Sequence, residues 1–280
     1  MTNEHDHTDG NFKSDLHHIL TRRKILSLAS VAAILAACDG IAFMGSAEAN
    51  VTATAADGTT CIKLPAETNG PFPADGSNSS AGANVNVLTK SGIIREDIRP
   101  SFDGLTIVAD GVPTTLELTI VDVSNACTPL ANHVIYIWQC DAAGSYSIYE
   151  RADSNDLRGA AITDEKGIAR FTTVFPGCYS GRWPHIHFEI FASPDKAASG
   201  SASLLTSQFA MPKATCDAVY AAHPAYAKSP ANLASLSIAT DGIFADNTPE
   251  QIAAQTLVLT GDAATGLKAT ARIAIRTASA

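Results

Sequence analysis

GIARFTTVFPGCYSGRWPHIHFEIFAS, residues 167–193, holds two runs of β-branched and aromatic residues on either side of a turn-rich connection. Its last run, HIHFEIF, alternates polar and apolar side chains with period two, the pattern of a strand with one face on an apolar core. The middle carries Pro176, Gly177, Gly181 and Pro184, which no regular helix absorbs. Two strands and a connection are therefore predicted. Similar runs lie outward: TTLELTIVDV (114–123) and HVIYIWQCDA (133–142) before it, then TLVLTG (256–261) and GLKATARIAIR (266–276) as a terminal hairpin. ADGVP, DAAG and TDEKG supply turns between them. The best helix signal is KATCDAVYAAHPAY (213–226), which Pro224 stops. The expected fold class is all-β, an antiparallel sandwich with long loops and a short helix.

The first 49 residues read as an address and not as fold. TRRKILS (21–27) places two adjacent arginines before the apolar run ILSLASVAAILAA (25–37), as in a twin-arginine export signal. LAAC (35–38) resembles a lipobox, which would leave Cys38 lipidated as a membrane anchor; AEA (47–49) suits ordinary cleavage instead. Thirteen apolar residues before Asp39 are short for a membrane span. The expected location is periplasmic, membrane-anchored or extracellular. Residues 50–86, rich in Ala, Thr, Gly, Asn and Ser, read as an extended arm or linker, and 87–280 as the sandwich domain. Beyond residue 49, 15 basic residues face 22 acidic ones with no basic block, which argues against a nucleic-acid partner.

Five cysteines follow Cys38: Cys61, Cys127, Cys140, Cys178 and Cys216. At most two disulfides can form, and their connectivity is not legible from spacing. No CxxC occurs, so a thiolate-held zinc or iron–sulfur centre is not expected.

Four histidines remain past the leader: His133, His185, His187 and His223. On a strand, His185 and His187 point to one face, and two imidazoles side by side suit a metal. Glu189 lies on the same face and would complete a two-histidine, one-carboxylate site for Fe(II) or Mn(II). Tyr179, after the PGC turn, and Tyr146, after DAAG, offer another completion, since tyrosinate is a hard anionic donor that favours Fe(III). The bland alternatives are a pair of core histidines and a non-catalytic exported sandwich that binds aromatics or carbohydrates. Tyr220 and Tyr226 read as structural, His133 as a surface residue, and His223 as lacking a partner at ligand spacing.

IYIWQCDAAGSYSIYE (135–150), RGAAITDEKGIARFTTVFPGCYSGRWPHIHFEIFAS (158–193) and LLTSQFAMP (204–212) together resemble the intradiol ring-cleavage dioxygenases, the group of the catechol, protocatechuate and hydroxyquinol enzymes. The resemblance runs from about Glu67 to Phe244. It implies one non-haem Fe(III) per chain on Tyr146, Tyr179, His185 and His187, with Arg182 and Gln208 stabilising negative charge on the substrate ring. Glu189 then stands outside the metal shell. By the same resemblance, a catechol-type substrate is opened with O2 between its hydroxyl-bearing carbons, and Tyr179 leaves the metal and accepts a substrate proton. Pro71 and Phe72 of the GPFP arm are expected in the pocket wall, with Tyr149 in the wall or in packing. Only SGRWP separates Tyr179 from His185, shorter than in the catechol and protocatechuate enzymes and similar to compact exported members. No long helical segment precedes the strands, so the helical dimerisation region of the catechol enzymes is not expected, and the oligomeric state is left open.

Overall fold

Alternating apolar and polar side chains build the strands of this chain, and two of their ladders stack face to face. The structure, a computed structural model, describes residues 51–277. The export signal, the lipobox and Cys38 lie outside the described residues. The segment read as an extended arm carries four short strands, β1 (Thr52–Thr54), β2 (Thr60–Ile62), β3 (Asp75–Ser80) and β4 (Ala83–Asn86), paired as β1–β2 and β3–β4. Between them Leu64–Ala74, with Pro65, Pro71 and Pro73, stays irregular, as three prolines require.

The domain proper contributes β5 (Pro113–Asp122), β6 (Thr128–Pro129), β7 (Val134–Trp138), β8 (Arg158–Ile162), β9 (Ile168–Val174), β10 (His185–Phe191), β11 (Leu205–Ala210), β12 (Val258–Asp262) and β13 (Gly266–Ile275). One sheet runs β11-β10-β7-β8, antiparallel throughout. The other runs β12-β13-β5-β6, with β9 also on β5. The antiparallel expectation needs one correction: β13 pairs with β5 in parallel, from Leu267↔Thr114 to Ile275↔Asp122. Parallel neighbours need a long crossover, and here almost the whole domain lies between the two strands.

The sheets meet through Leu116, Leu118 and Ile120 of β5, Phe171 of β9 and Ile273 of β13, against Ile135 and Ile137 of β7, Ile186, Phe188 and Ile190 of β10, and Phe209 of β11. Phe188 and Phe209 stack at 4.4 Å. Each such side chain contributes about 1.5–3 kcal/mol on burial. The even-numbered residues of β10 are thereby used up in the sandwich core.

The odd-numbered residues of β10 face away from that core, yet the strand is buried along its whole length. A second apolar cluster explains this. Ala74, Val87, Leu88, Ile93 and Phe102 pack on Val134, Tyr136 and Trp138 of β7 and Phe191 of β10, so the arm roofs the outer face of the sheet. The same strip is stitched to both sheet edges: Arg95 N–H donates to the Ala160 carbonyl and Ile98 N–H to the Thr172 carbonyl.

Three helices fill the stretch between β11 and β12: α1 (Lys213–Ala222), α2 (Ser229–Ala234) and α3 (Pro249–Gln255). The helix expected over 213–226 ends at Ala222, because His223 takes extended backbone ahead of Pro224. The α3 start has a full capping box, Thr248 with Gln251 and Pro249 at the first turn. Cys61 and Cys127 form a disulfide across 66 residues that ties the arm to the turn before β6. Cys140, Cys178 and Cys216 are free and buried, so packing accounts for Cys140 and Cys178.

Candidate functional site

Register decides which side chains meet on the roofed face. His187 pairs with Trp138 on one side and Gln208 on the other, while Glu189 pairs with Tyr136 and Thr206. Alternation then puts His185, His187, Glu189, Gln208, Trp138 and Tyr136 on one side of the sheet. Polar residues on a roofed face are the informative exception to burial rules.

Two loops bring the tyrosines to this face. The 139–157 connection begins with the DAAG turn, in which Asp141 Oδ1 accepts N–H bonds from Ala143 and Ser145 and Gly144 takes φ +88°. The turn delivers Tyr146, 1% exposed, to the histidines. The 175–184 connection delivers Tyr179, which is half-buried. The two loops touch at Gly177, whose N–H donates to the Asp141 carbonyl. A Cβ at Gly177 would lie 2.6 Å from the Ala142 carbonyl oxygen, so only glycine permits this approach. The helical segment holds the second loop from outside: Tyr220 Oη donates to the Pro176 carbonyl, Ser229 Oγ accepts from Cys178 N–H, and Asn232 Nδ2 donates to the Cys178 carbonyl. Tyr220 is structural, as expected, and so is Tyr226, which bonds the Phe175 carbonyl.

Tyr146 Oη lies 3.4 Å and Tyr179 Oη 3.3 Å from His185 Nε2, which itself lies 3.0 Å from His187 Nε2. The structure thus brings together all four side chains expected to converge. His185 Nδ1 points at the Trp183 carbonyl, which can only accept, so the proton sits on Nδ1 and Nε2 presents a bare lone pair. Burial, reinforced by Arg182, holds His185 well below its ordinary pKa; burial, with His185 alongside, does the same to His187. Both rings are therefore neutral near pH 7. Trp138 stacks on His187 at 4.8 Å and 6°, fixing a ring whose Nδ1 is buried without a hydrogen bond.

A lone pair that faces one imidazole and two phenols cannot satisfy all three by hydrogen bonding. Donors about 2.1 Å from a shared ion lie about 3.0–3.4 Å from one another, which is the spacing found. The donor set fits a metal, with hard oxygens for a hard ion. Among the described residues no three His, Cys, Asp or Glu side chains form a metal-holding group, so the arrangement with Glu189 is not built. Glu189 instead accepts from Thr206 Oγ1 at 3.2 Å. His133 and His223 lie far from this chemistry in role: His133 Nδ1 bonds the Ala131 carbonyl, and His223 caps the turn at Ala225.

Arg182 and Gln208 meet as well. Arg182 Nη2 donates to Gln208 Oε1 at 2.8 Å, and Gln208 Nε2 donates to the Thr68 carbonyl at 2.9 Å. On the roof, Phe72 packs 5.0 Å from both Tyr146 and Tyr149. Tyr149 Oη donates to Asn78 and accepts from Ala74 N–H, so it ties down the arm; Pro71 turns its carbonyl to Asn78.

Sequence reasoning missed three residues. Trp138 supports His187. Arg158, fully buried, donates to the Phe72 and Pro73 carbonyls and to both Ser147 oxygens, clamping the arm onto the Tyr146 loop. Asp241, 2% exposed, accepts from Arg182 Nε at 3.0 Å and Trp183 N–H at 2.7 Å. Burial would raise the Asp241 carboxyl, but Arg182 and these N–H donors outweigh it and hold the pKa below its ordinary value. A lone Asp in ATDG reads as turn chemistry, so no sequence signal marked it.

Fold and site define a β-sandwich that assembles two imidazoles and two phenols on a roofed sheet face, and comparison with known proteins agrees. A family model described as "Dioxygenase" matches residues 96–228. The protocatechuate 3,4-dioxygenase beta chain of Burkholderia cepacia is 30% identical over 34% of this chain and 48% of its own, so the match spans about half that relative's length. The solved intradiol ring-cleavage dioxygenase of Tetranychus urticae superposes with a TM-score of 0.54 at 24% identity, covering 77% of this chain and 95% of its own. A second dioxygenase crystal structure gives 0.55 at 25% over the same shares. The chain is thus similar to dioxygenases, intradiol ring-cleavage enzymes among them.

Proposed function

We propose that the protein is an exported, non-haem Fe(III)-dependent intradiol dioxygenase that opens catechol-type rings between the hydroxyl-bearing carbons with O2, giving cis,cis-muconate-type diacids. The observation that carries this reading is the meeting of two phenol oxygens and two imidazole nitrogens on one buried strand face. The family generally uses non-haem Fe(III). Tyr146, Tyr179, His185 and His187 would hold one ion per chain. When bound, the ion supplies the Lewis acidity that eases deprotonation of the diol and the redox flexibility that reaction with O2 needs. The Cys61–Cys127 disulfide supports an oxidising destination, and with it the export reading.

The remaining roles follow from the chain's own groups. Tyr179 is the more open of the two phenols, and its Oη is the base that takes a proton from an entering hydroxyl. Tyr146, His185 and His187 are locked by burial, by the Trp183 carbonyl and by Trp138, and they keep their positions. Arg182 and Gln208 hold N–H donors beside the site for negative charge on the ring. Phe72 and Tyr149 wall the entrance with aromatic surface, orienting a flat ring and excluding water.

The test is direct. The iron-loaded protein should be reddish from tyrosinate charge transfer, should take up O2 with catechol, and should yield a cis,cis-diacid by NMR. A colourless iron-loaded protein, or a yellow semialdehyde product, overturns the reading. Failure to retain iron at all would favour the non-catalytic binder.

A further inference from the structure

The Asp241 carboxylate sits at a junction. Its Oδ2 accepts both Arg182 Nε at 3.0 Å and the Trp183 backbone N–H at 2.7 Å. Its Oδ1 accepts the N–H groups of Ile243 at 2.9 Å and Phe244 at 3.2 Å, so the carboxylate cannot rotate without breaking its own turn. The Arg182 and Asp241 side chains are 1% and 0% exposed. Two lines run from this point into the site. Through Arg182 Nη2 the line passes to Gln208 Oε1 and on, by Gln208 Nε2, to the Thr68 carbonyl. Through the Trp183 peptide it reaches the carbonyl that accepts the His185 Nδ1 proton. Asp241 also lies beyond residues 96–228, the stretch that matches the dioxygenase family model.

We propose that Asp241 is a positioning residue: it fixes the plane of the Arg182 guanidinium beside the substrate ring and, through Trp183, the tautomer of His185. It touches neither substrate nor metal. A planar guanidinium is useful to developing charge only when its N–H groups are aimed, and one carboxylate oxygen shared between side chain and backbone aims it with respect to the strand that carries the histidines. A buried guanidinium without its carboxylate would turn toward other acceptors.

The activity arm of the test rests on the dioxygenase reading, and the NMR arm does not. In the metal-free protein, 15N spectra should show His185 as the Nδ1–H tautomer and a slowly exchanging Arg182 Nε–H. In Asp241→Asn both signals should be lost or averaged while the fold still melts cooperatively. In the iron-loaded protein, Asp241→Asn should lower kcat for catechol about 10–100-fold with KM changed less than about 3-fold, the range for partners that orient a site from behind. Because part of the Asp241 effect passes through Arg182, Arg182→Gln/Asp241→Asn should lose less kcat than the product of the two single losses. Unchanged NMR signals in Asp241→Asn overturn the proposal whether or not the protein binds iron. Multiplying kcat losses in the double variant overturn it too, as does loss of cooperative melting in Asp241→Asn that the charge-neutral double variant does not restore, since Asp241 would then be structural. Normal NMR effects with no iron-dependent turnover would leave Asp241's role standing and remove the dioxygenase reading.

Discussion

At the scale of residues, the site is a problem of proton placement. His185 has its Nδ1 proton taken by Trp183, which leaves Nε2 to face both phenols, and only one of these phenols is open to solvent. Tyr146→Phe is expected to lose most of the visible band and nearly all turnover in the iron-loaded protein. Tyr149→Phe, whose hydroxyl is spent on Asn78 and Ala74, should keep the band. Equal bleaching of both by absorption spectroscopy would show the tyrosines to be misassigned. Gly177→Ala should destabilise the fold by about 1–3 kcal/mol in urea, since a methyl group there meets a backbone carbonyl from the other tyrosine loop. Strand alternation marked His185 and His187 and the turns offered Tyr146 and Tyr179, while the roles of Arg182 and Gln208 came from the family resemblance. Trp138, Arg158 and Asp241 were not legible, because a buried tryptophan, arginine or aspartate looks in sequence like a core, surface or turn residue.

At the scale of elements, the arm governs access. Residues 65–74 run over the site, and at their start Glu67 accepts from Asn247 Nδ2 at 2.7 Å and Gln255 Nε2 at 3.3 Å. Burial pushes the Glu67 carboxyl up to about 7, against the pull of those two amides. The folded state thus holds a proton that the unfolded chain releases near its ordinary value of 4.5. The stabilisation is complete below about 4.5 and is lost as pH rises through about 7. Glu67→Gln should flatten the fall in urea stability between those values and leave the variant more stable than wild type at pH 8. An unchanged slope would mean that Glu67 does not govern it. The sequence indicated an arm, and the prolines ruled out helix and central strand. It did not show that β3 and β4 pair locally, because Gly- and Ser-rich strands carry no alternation.

At the scale of the whole molecule, the stacked sheets, a disulfide and a roof make three apolar clusters among the described residues, and the disulfide lies with Val121, Val123 and Ala274, apart from the cluster around Trp138. Cys61→Ser/Cys127→Ser should therefore cost about 2–4 kcal/mol in chemical denaturation while the iron-loaded protein keeps its colour; loss of colour would tie the clip to the site. The strands β5, β7, β9, β10, β12 and β13 were read from the sequence, but β6, β8 and β11 were not, and neither was the parallel β13–β5 pair, since no local pattern encodes which distant strand lies alongside. The reactive face is the outside of a sheet, and its ceiling is a peripheral strip packed mostly in a cluster of its own, with Ile98 reaching into the sandwich core. On the proposed dioxygenase reading, substitutions within residues 65–105 other than Ile98 should retune substrate preference, leaving the load of folding on side chains that point the other way.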